Sequence, residues 1–287
     1  MIATTGFFAG VHLGHRLVIE RLVSEARKRG DESLVVTFWP HPRAVLQDGA
    51  RELRLLTTLE EKKAILSGLG VDRIEVLDFS RRFAALTAEQ YLRDILRDRF
   101  GVTTLLVGYD NRLGSDRLTA GALASLAQSL GIGLIDLPPY QDISSTRIRK
   151  ALEEGDIASA TAMLGYGYSL QGVVVAGNRL GRTIGFPTAN MKLYEPLKLV
   201  PAHGVYAVDV EVLGQKYRGM TNIGTRPTVG GTFSTIETHI LNFDEDIYGL
   251  PLRITFLRRI RDEVHFPSLD ALRAQLGQDR EACRSAK

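Results

Sequence analysis

The chain has 287 residues, of which 44% are hydrophobic and 24% charged, so it is long enough for one large globular domain or two ordinary ones. Its net charge of +3 is small for this length and gives no argument for a nucleic-acid or membrane surface. The single cysteine, Cys283, excludes an intramolecular disulfide and a cysteine metal site, which predicts a reducing, cytoplasmic compartment. We expect no signal peptide and no membrane span, because the chain lacks apolar runs of the required kind.

The first half of the chain alternates strand and helix patterns. A short strand within 2–8 precedes a helix over 15–30. The apolar face of this helix is predicted to carry Leu17, Val18, Leu22 and Val23. Further strands are predicted at SLVVTF, RIEVLDF, TTLLVG and IGLIDL. Helices are predicted at TTLEEKKAILSGLG, which has a threonine cap, TAEQYLRDILRDRFG and TAGALASLAQSLG. Such alternation predicts a Rossmann-like α/β domain with a parallel sheet, which binds ligands beyond the carboxyl ends of its strands.

The pattern changes near Gly165, where short strand-like segments separated by turn residues begin. A closing helix is predicted after a cap at Ser268. The second half is therefore predicted to form a small antiparallel barrel with a C-terminal helix. We place the two domains at 1–164 and 165–287.

The stretch GFFAGVHLGH places His12 and His15 just before a helix. A helix N-terminus attracts phosphate through its free N–H groups and partial positive charge. Gly10 and Gly14 would let the backbone approach a ligand closely, and two imidazoles can donate hydrogen bonds to phosphate oxygens. No carboxylate or cysteine cluster accompanies the histidines, which disfavours zinc.

The stretch ISSTRIR supplies the hydroxyls of Ser144, Ser145 and Thr146 at a helix start, followed within a turn by Arg147 and Arg149. Hydroxyl, N–H and guanidinium groups together suit a polyphosphate. Alone, the motif is as well explained by a helix cap with surface arginines. Two such motifs at one edge of one sheet favour a nucleotide site.

These two motifs resemble the nucleotidyltransferase superfamily, and TFWPHPR and GYDNRLGSDR narrow the resemblance to the FAD synthetase module of bacterial bifunctional riboflavin kinase/FAD synthetases. The resemblance implies transfer of AMP from ATP to FMN, giving FAD and pyrophosphate. It implies that His12 and His15 are catalytic, and that Pro40 and Asp110 contact the flavin. The ATP-binding residues implied in this domain are Gly6, Phe7, Gly10, His12, His15, Ser145, Thr146 and Arg149.

Three residues depart from that family pattern. Ala9 stands where the family usually carries Asp, which removes a carboxylate, and Asn111 and Leu113 replace aromatic residues, which removes flat surfaces that could stack on a ring. An alternative is therefore a riboflavin kinase with a weakened or inactive adenylyltransferase domain. Our hypothesis is that this activity is weakened rather than absent, because the phosphate-binding groups remain.

In the second half, the stretch GNRLGRTIGFPTAN ends with Thr188 and Asn190 two positions apart. On an extended segment both side chains point to the same face. A hydroxyl and an amide oxygen there can hold a hard cation such as Mg²⁺ alongside phosphate oxygens. A glycine-rich hairpin with solvent-facing polar residues is the alternative.

The stretch STIETHILNF places Glu237 on one strand face with His239, Leu241 and Phe243. A carboxylate with apolar neighbours is a candidate general base, although a glutamate on a barrel strand is often simply solvated. Phosphorylating a primary alcohol needs a base, Mg²⁺ and a phosphate cradle. This half contains a candidate for each.

The second half resembles the riboflavin kinase module through GRTIGFPTAN, HGVYAV, GMTNIGTRPT, IETHILNF, DIYG and IRDEVHFPS, in family order. The resemblance implies a six-stranded Greek-key barrel, with Glu237 as the base and Arg226 also at the flavin. Thr188 and Asn190 would be the magnesium-proximal pair. The implied ATP-binding residues here are Gly177, Arg182, Gly185, Pro187, Thr188 and Asn190.

The leading interpretation is a two-domain enzyme that makes FMN and then FAD from riboflavin, with ATP as co-substrate and Mg²⁺ in both steps. A non-catalytic flavin-binding protein is disfavoured by the intact Thr188, Asn190 and Glu237. A tRNA synthetase is disfavoured because the chain is short and lacks a lysine-serine loop. The expected partners are riboflavin, FMN, FAD and ATP, with no nucleic acid and no membrane, in a monomer or weak homo-oligomer.

Overall fold

A computed structural model of the chain describes residues 1–46, 53–108, 113–138, 142–177, 180–228 and 231–286. At 180, 226–228 and 231–233 the description covers the backbone alone. The chain forms two compact units, Met1–Ser145 and Thr146–Lys287. In the described part of the chain, no helix is both long and apolar enough to cross a bilayer.

The first unit is built on a parallel sheet. In chain order its described strands are β1 (Ile2–Thr5), β2 (Ser33–Trp39), β3 (Arg73–Asp78), β4 (Thr104–Gly108) and β5 (Gly133–Leu137). Their spatial order is β3-β2-β1-β4-β5, and every neighbouring pair is parallel. The predicted Rossmann-like α/β architecture is confirmed, and β1 lies at the centre of the sheet.

Helices cover this sheet and connect its strands. They are α1 (Leu13–Arg29), α2 (Pro42–Leu46), α3 (Leu59–Gly68), α4 (Arg81–Ala84), α5 (Ala88–Gln90) and α6 (Ala120–Ser129), with a 3₁₀ turn at Ala9–Val11 and a π-helical segment at Tyr91–Arg97. A capping box fixes the start of α3: Thr58 Oγ1 accepts from the Glu61 N–H, and the Glu61 carboxylate accepts from the Thr58 N–H. The predicted threonine cap is confirmed.

One prediction about α1 is wrong. Leu17 is 39% exposed, whereas the buried face carries Ile19, Leu22, Val23 and Ala26. At 100° per residue, Leu17 lies about 140° around the helix from Leu22, away from the sheet. Four apolar residues in a short window therefore do not all share the core face.

The second unit contains a closed barrel. Its strands are β6 (Ser169–Val175), β7 (Ala189–Leu193), β8 (Gly204–Val212), β9 (Gln215–Thr228), β10 (Gly231–Ile240) and β11 (Pro251–Arg261). The order around the barrel is β10-β7-β6-β11-β8-β9, closed between β9 and β10, and every pair is antiparallel. Because β11 returns to lie beside β8, strands β8 to β11 form a Greek key. The predicted six-stranded Greek-key barrel is confirmed.

The helices of this unit are α7 (Ser145–Glu154), α8 (Ile157–Leu164), α9 (Leu180–Thr183) and α10 (Leu269–Arg284). The end of α7 packs on the barrel unit, since the Ala202 N–H donates to the Leu152 carbonyl at 3.0 Å. The compact units accordingly divide at 145/146. The division into domains at 164/165 stays a prediction.

The C-terminal helix α10 is held by a cap and by an ion pair. The Ser268 hydroxyl accepts from the Ala271 N–H, as predicted for the cap. Asp279, 1% exposed, accepts two hydrogen bonds from Arg261 of β11, at 3.0 Å from Nε and 2.7 Å from Nη2. Gln275 donates to the same carboxylate at 2.9 Å. The helix is therefore fastened to the barrel wall by a buried, fully bonded carboxylate.

Candidate active sites

The loop of residues 6–12, here called the N-terminal loop, follows β1. Its backbone is left-handed at Phe8, Gly10 and Val11, with φ of 45°, 75° and 37°. Glycine adopts such angles freely, whereas a β-branched residue does so only at a cost. Phe8 and Val11 are buried, at 6% and 0% exposure, so core packing holds the bend. The loop is thus a preformed turn at the carboxyl end of the central strand.

The two histidines of this loop and of α1 are in contact. The imidazoles of His12 and His15 stack with ring centroids 3.7 Å apart and an angle of 18° between planes, and Phe8 meets His15 edge-on at 5.4 Å. The Nδ1 of His15 is enclosed and has no hydrogen-bond partner among the described residues. The pKa of His15 lies well below its ordinary value, first because of burial and then because of the charges of His12 and Lys62. His15 is therefore a neutral ring at physiological pH.

A buried lysine accompanies the histidines, and sequence reasoning missed it. Lys62 of α3 is 5% exposed, and its ammonium group donates to Thr37 Oγ1 of β2 at 3.3 Å. Burial lowers its pKa to about 8. Lys63 follows at once, so composition does not say which lysine faces inward. The spacing to Leu66 is the signal that could have identified Lys62, because residues four positions apart share one face of a helix. Leu66 is apolar, and it is buried.

The serine-rich motif reaches the N-terminal loop. The Ser145 hydroxyl donates to the Ala9 carbonyl at 3.0 Å, which brings the two predicted phosphate motifs together. Thr146, which is exposed, and Arg149, which is half-buried, follow in α7. The Gly10 N–H donates to Thr57 Oγ1 at 3.3 Å, which ties the loop to the residues before α3 as well.

Phe7 belongs to an aromatic cluster rather than standing free. Its ring centroid lies 4.9 Å from that of Phe38, 5.3 Å from that of Phe79 and 5.9 Å from that of His41. Pro40, predicted at the flavin, is half-buried directly after β2. Two further predictions, on Asp110 and Asn111, lie outside the described residues.

The interpretation of Leu113 as a lost stacking surface is wrong. Leu113 is 7% exposed and belongs to the apolar core that also contains Leu92 and Leu105. A side chain at this position packs inside the domain and does not present a face to a ligand. Its departure from the family pattern is therefore a core substitution.

In the barrel, the three predicted kinase residues converge. Glu237 of β10 lies directly opposite Asn190 of β7, so both side chains stand on the same face of the sheet. The Thr188 hydroxyl, two residues earlier, donates to the Glu237 carboxylate at 3.4 Å. On its other side Glu237 faces Asn222 of β9, a neighbour that sequence reasoning missed. The result is a row of amide, carboxylate and amide across three strands.

The glycine-rich segment approaches this row closely. Asn190 packs against Gly177 so tightly that a Cβ at that glycine would overlap the amide. A Cβ at Gly181 would overlap the Phe186 carbonyl in the same way. Gly185 has φ of 81°, which a side chain disfavours. Gly177 and Gly185, both predicted to bind ATP, thus stand where a side chain is disfavoured, Gly177 by overlap with Asn190 and Gly185 by its backbone angle.

A pocket of about 540 Å³ opens beside Glu237, within the range of small-molecule sites. Its polar lining is Thr188, Asn222, Glu237, His239, Arg261, Glu263, His265 and Ser268. Its apolar lining is Ile184, Phe186, Val205, Met220, Val264, Phe266, Leu269, Leu272 and Leu276. Barrel strands, the 180–188 segment and α10 all contribute. The site can therefore bury a mostly apolar ring system while presenting one end to the polar row.

His239 is a fixed part of the pocket wall. Its Nδ1 donates to the Pro187 carbonyl at 2.8 Å, because a carbonyl can only accept, and its ring meets Phe186 edge-on at 5.3 Å. Burial, more than the nearby Arg280 charge, lowers the pKa of His239. The neutral ring leaves Nε2 as an acceptor.

Glu237 and His239 both line the pocket, but β10 ends at Ile240, so Leu241 and Phe243 lie past the strand that was predicted to align them. Arg182 is exposed. The side chain of Arg226 lies outside the described residues.

The chain is similar to known proteins over both units. A family model described as FAD synthetase matches residues 1–151, and one described as riboflavin kinase matches residues 164–287. A crystal structure described as a macrolide-efflux protein from Streptococcus pneumoniae has a TM-score of 0.93 at 36% identity, covering 100% of this chain and 94% of that one. This likeness shows a shared fold; efflux is said of that protein alone.

Curated relatives match along nearly the whole chain. The bifunctional riboflavin kinase/FMN adenylyltransferase of Escherichia coli (strain K12) is 40% identical over 97% of this chain and 90% of its own length. The protein of that name from Bacillus subtilis (strain 168) is 35% identical over 98% of this chain and 90% of its own length. With both modules matched in order, the chain belongs to the bifunctional riboflavin kinase/FMN adenylyltransferase family.

Proposed function

We propose that the barrel phosphorylates riboflavin with ATP to give FMN, and that the α/β unit transfers AMP from a second ATP to FMN, giving FAD and pyrophosphate. The observation that supports the kinase half is that Thr188 and Asn190 both adjoin Glu237, and that Glu237 and Thr188 line one pocket. A base, a pair of oxygen donors and a ring-sized pocket are what this phosphorylation needs.

In the kinase step, the apolar pocket wall holds the flavin ring and the ribityl chain extends toward the polar row. The Glu237 carboxylate accepts the proton of the primary hydroxyl as that oxygen attacks the γ-phosphorus of ATP. The ADP oxygen leaves, and the new bond joins phosphate to the ribityl oxygen. Asn190 and Asn222 stand on either side of Glu237 on neighbouring strands.

The donor set of this row fits Mg²⁺. The Thr188 hydroxyl, the Asn190 amide oxygen and the neighbouring carboxylate are hard oxygen ligands, which Mg²⁺ prefers. We assign Thr188 and Asn190 as the residues that would hold it beside the phosphates. When bound, the ion supplies neutralisation of phosphate charge. Gly177, Arg182, Gly185 and Pro187 are assigned to the ATP side of the same site.

In the adenylyl-transfer step, the FMN phosphate attacks the α-phosphorus of ATP and pyrophosphate leaves. His12 and His15 donate hydrogen bonds to the phosphate oxygens as charge shifts toward the leaving group. The other proposed ATP-binding residues are Gly6, Phe7, Gly10, Ser145, Thr146 and Arg149. Pro40 and Asp110 are proposed at the isoalloxazine ring, and Arg226 at the flavin of the barrel.

A second candidate function is riboflavin kinase with a weak adenylyltransferase. Ala9 supports it, because the N-terminal loop lacks a carboxylate there. Leu113 gives it no support, since that residue is in the core.

One assay separates these candidates. The chain is incubated with riboflavin, ATP and MgCl₂, and FMN and FAD are separated by chromatography. Both products are expected. FMN alone, also when FMN is supplied as substrate, would favour the kinase-only candidate, and neither product would refute the proposal. A chelator in excess should abolish both.

The remaining assignments are proposals with simple tests. We propose domains at 1–164 and 165–287, a cytoplasmic location, no nucleic-acid partner and a monomer or weak homo-oligomer. Light scattering across a concentration series tests the oligomeric state. Expression of 165–287 alone, assayed for FMN formation, tests the division.

A further inference from the structure

A buried lysine, Lys62, lies in the polar interior beside the N-terminal loop. Lys62 is 5% exposed, and no Asp or Glu of the described residues lies within ion-pair distance of its ammonium group. Buried charges in proteins are almost always paired, because desolvating an unpaired one is costly. Its one hydrogen bond, to Thr37 Oγ1, leaves two ammonium protons for other acceptors.

Lys62 is placed where the N-terminal loop meets the sheet. Its partner Thr37 lies on β2, next to the central strand β1 from which the loop departs. The helix that carries Lys62 is anchored to the same loop, through the Gly10 N–H and Thr57. After burial and the charge of His12, the charge of Lys62 also lowers the pKa of the His15 imidazole. These observations place the ammonium group near His15.

We propose that Lys62 is a phosphate-binding residue of the adenylyl-transfer site, whose ammonium group contacts oxygens of the bound triphosphate beside His12 and His15. The inference rests on the proposed function of that unit. Burial lowers the pKa of Lys62 to about 8, and the oxygens of a bound polyanion would give its ammonium group a counter-charge. A structural role explains the position less well, because a hydrogen bond to one threonine could be made without burying a cation.

The test compares Lys62→Met with Lys63→Met. Lys63 is the adjacent lysine; its side chain is 43% exposed and pairs with Glu60 at 3.5 Å on the surface. Each full-length variant is titrated calorimetrically with inorganic tripolyphosphate and assayed for FAD formation from FMN over a range of ATP concentrations. Any tripolyphosphate that binds to the barrel is common to all variants.

Lys62→Met is expected to weaken tripolyphosphate binding about 10- to 100-fold and to raise KM for ATP, as the loss of a charged hydrogen bond implies. Lys63→Met should stay within about twofold of the unmodified chain, and Lys62→Arg should retain most of the affinity. FMN formation from riboflavin should be unchanged in every variant. The melting temperature of Lys62→Met should be no lower than that of Lys63→Met.

Equal affinities of Lys62→Met and Lys63→Met would overturn the inference. So would a Lys62→Met chain that loses affinity only in proportion to lost thermal stability, or a folded Lys62→Arg chain as weak as Lys62→Met. If Lys62→Met does not fold, Lys62→Gln takes its place. An unmodified chain that makes no FAD, with tripolyphosphate affinity still dependent on Lys62, would refute the adenylyltransferase and keep the anion site.

Discussion

Glu237 lies between two amides, Asn190 on one neighbouring strand and Asn222 on the other. The Thr188 hydroxyl donates a hydrogen bond to this carboxylate at 3.4 Å, which helps to orient it. Positioning of this kind matters for a base, which must meet the substrate hydroxyl at hydrogen-bond distance.

Glu237→Gln is expected to reduce kcat for FMN formation by at least about 100-fold, because an amide of the same shape cannot accept the proton. Riboflavin binding should change little. Steady-state assays with riboflavin and ATP measure the first effect, and fluorescence titration of riboflavin the second. FAD formation from supplied FMN is the internal control. Near-normal FMN turnover would remove Glu237 from the role of base.

Ala9 lies in the 3₁₀ turn of the N-terminal loop and is partly exposed, so a larger side chain has room there. We expect Ala9→Asp to raise the rate of FAD formation from FMN and ATP, since it returns a carboxylate to the nucleotide loop. Ala9→Asn is the matched control of similar size without charge. An unchanged or lower rate for the aspartate variant would count against a role for that carboxylate.

The residues of the two sites differ in how far the sequence predicts them. Five of them lie in short motifs whose chemistry can be recognised from the adjacent residues: His12, His15, Thr188, Asn190 and Glu237. Lys62 and Asn222 were missed because their meaning depends on partners distant in sequence, on β2 and β10. Leu113 was misread for the same reason, since only the fold shows that it faces the core.

Among the structural elements, α10 forms one wall of the flavin-sized pocket, through Leu269, Leu272 and Leu276. Its position depends on Asp279, which is buried and bound by Arg261. Arg261 itself lines the pocket. The ion pair therefore couples the stability of this wall to the shape of the site.

Asp279→Asn is expected to lower the free energy of unfolding of the barrel by about 3 kcal/mol, because it leaves the largely buried Arg261 without its counter-charge. The KM for riboflavin should rise as α10 loosens. Loss of FMN formation with increasing urea measures the first effect. Glu281→Gln, which breaks an exposed pair with Arg284, should cost less than about 1 kcal/mol. Equal effects of both substitutions would contradict the structural role given to Asp279.

The periodicity of the sequence predicted which segments form helices and strands, but not the hydrogen-bonding pattern within each helix. Helix α3 and helix α10 start at their predicted caps, Thr58 and Ser268, because a cap is a local hydrogen-bonding device. The predicted single helix over 87–101 instead contains a π-helical segment at Tyr91–Arg97. Propensity does not distinguish these hydrogen-bonding patterns; packing does.

At the scale of the whole molecule, the described residues that line the barrel pocket, from Gly181 to Leu276, all belong to the second unit. Each unit also has its own core, as the separate apolar clusters show. We therefore expect the kinase reaction to proceed without residues of the first unit.

Mixing two single-site variants tests this independence. Glu237→Gln and His12→Ala chains should each fail to make FAD from riboflavin, while an equimolar mixture should make it after a lag in which free FMN accumulates. The unmodified chain at the same total concentration is the reference. A mixture that accumulates FMN yet yields no FAD would contradict independent sites.

The order of strands around the barrel could not come from periodicity. β11 pairs with β6 and β8, neither of which adjoins it in the chain, so its place depends on long-range contacts. The resemblance to a known module, rather than strand patterns, supplied the Greek key. The parallel sheet was easier to predict from the sequence, because a helix that connects two strands of one sheet implies that the strands run in the same direction.

The stacked imidazoles also affect how ATP binding depends on pH. Two imidazoles 3.7 Å apart and the nearby buried ammonium group repel one another when all three are cationic. A bound anion offsets that repulsion. ATP binding at this site should therefore take up hydrogen ions from the buffer, and should tighten as pH falls toward the ordinary range of histidine. Calorimetry in two buffers of different ionisation enthalpy measures that uptake, which a His15→Gln chain should largely lose.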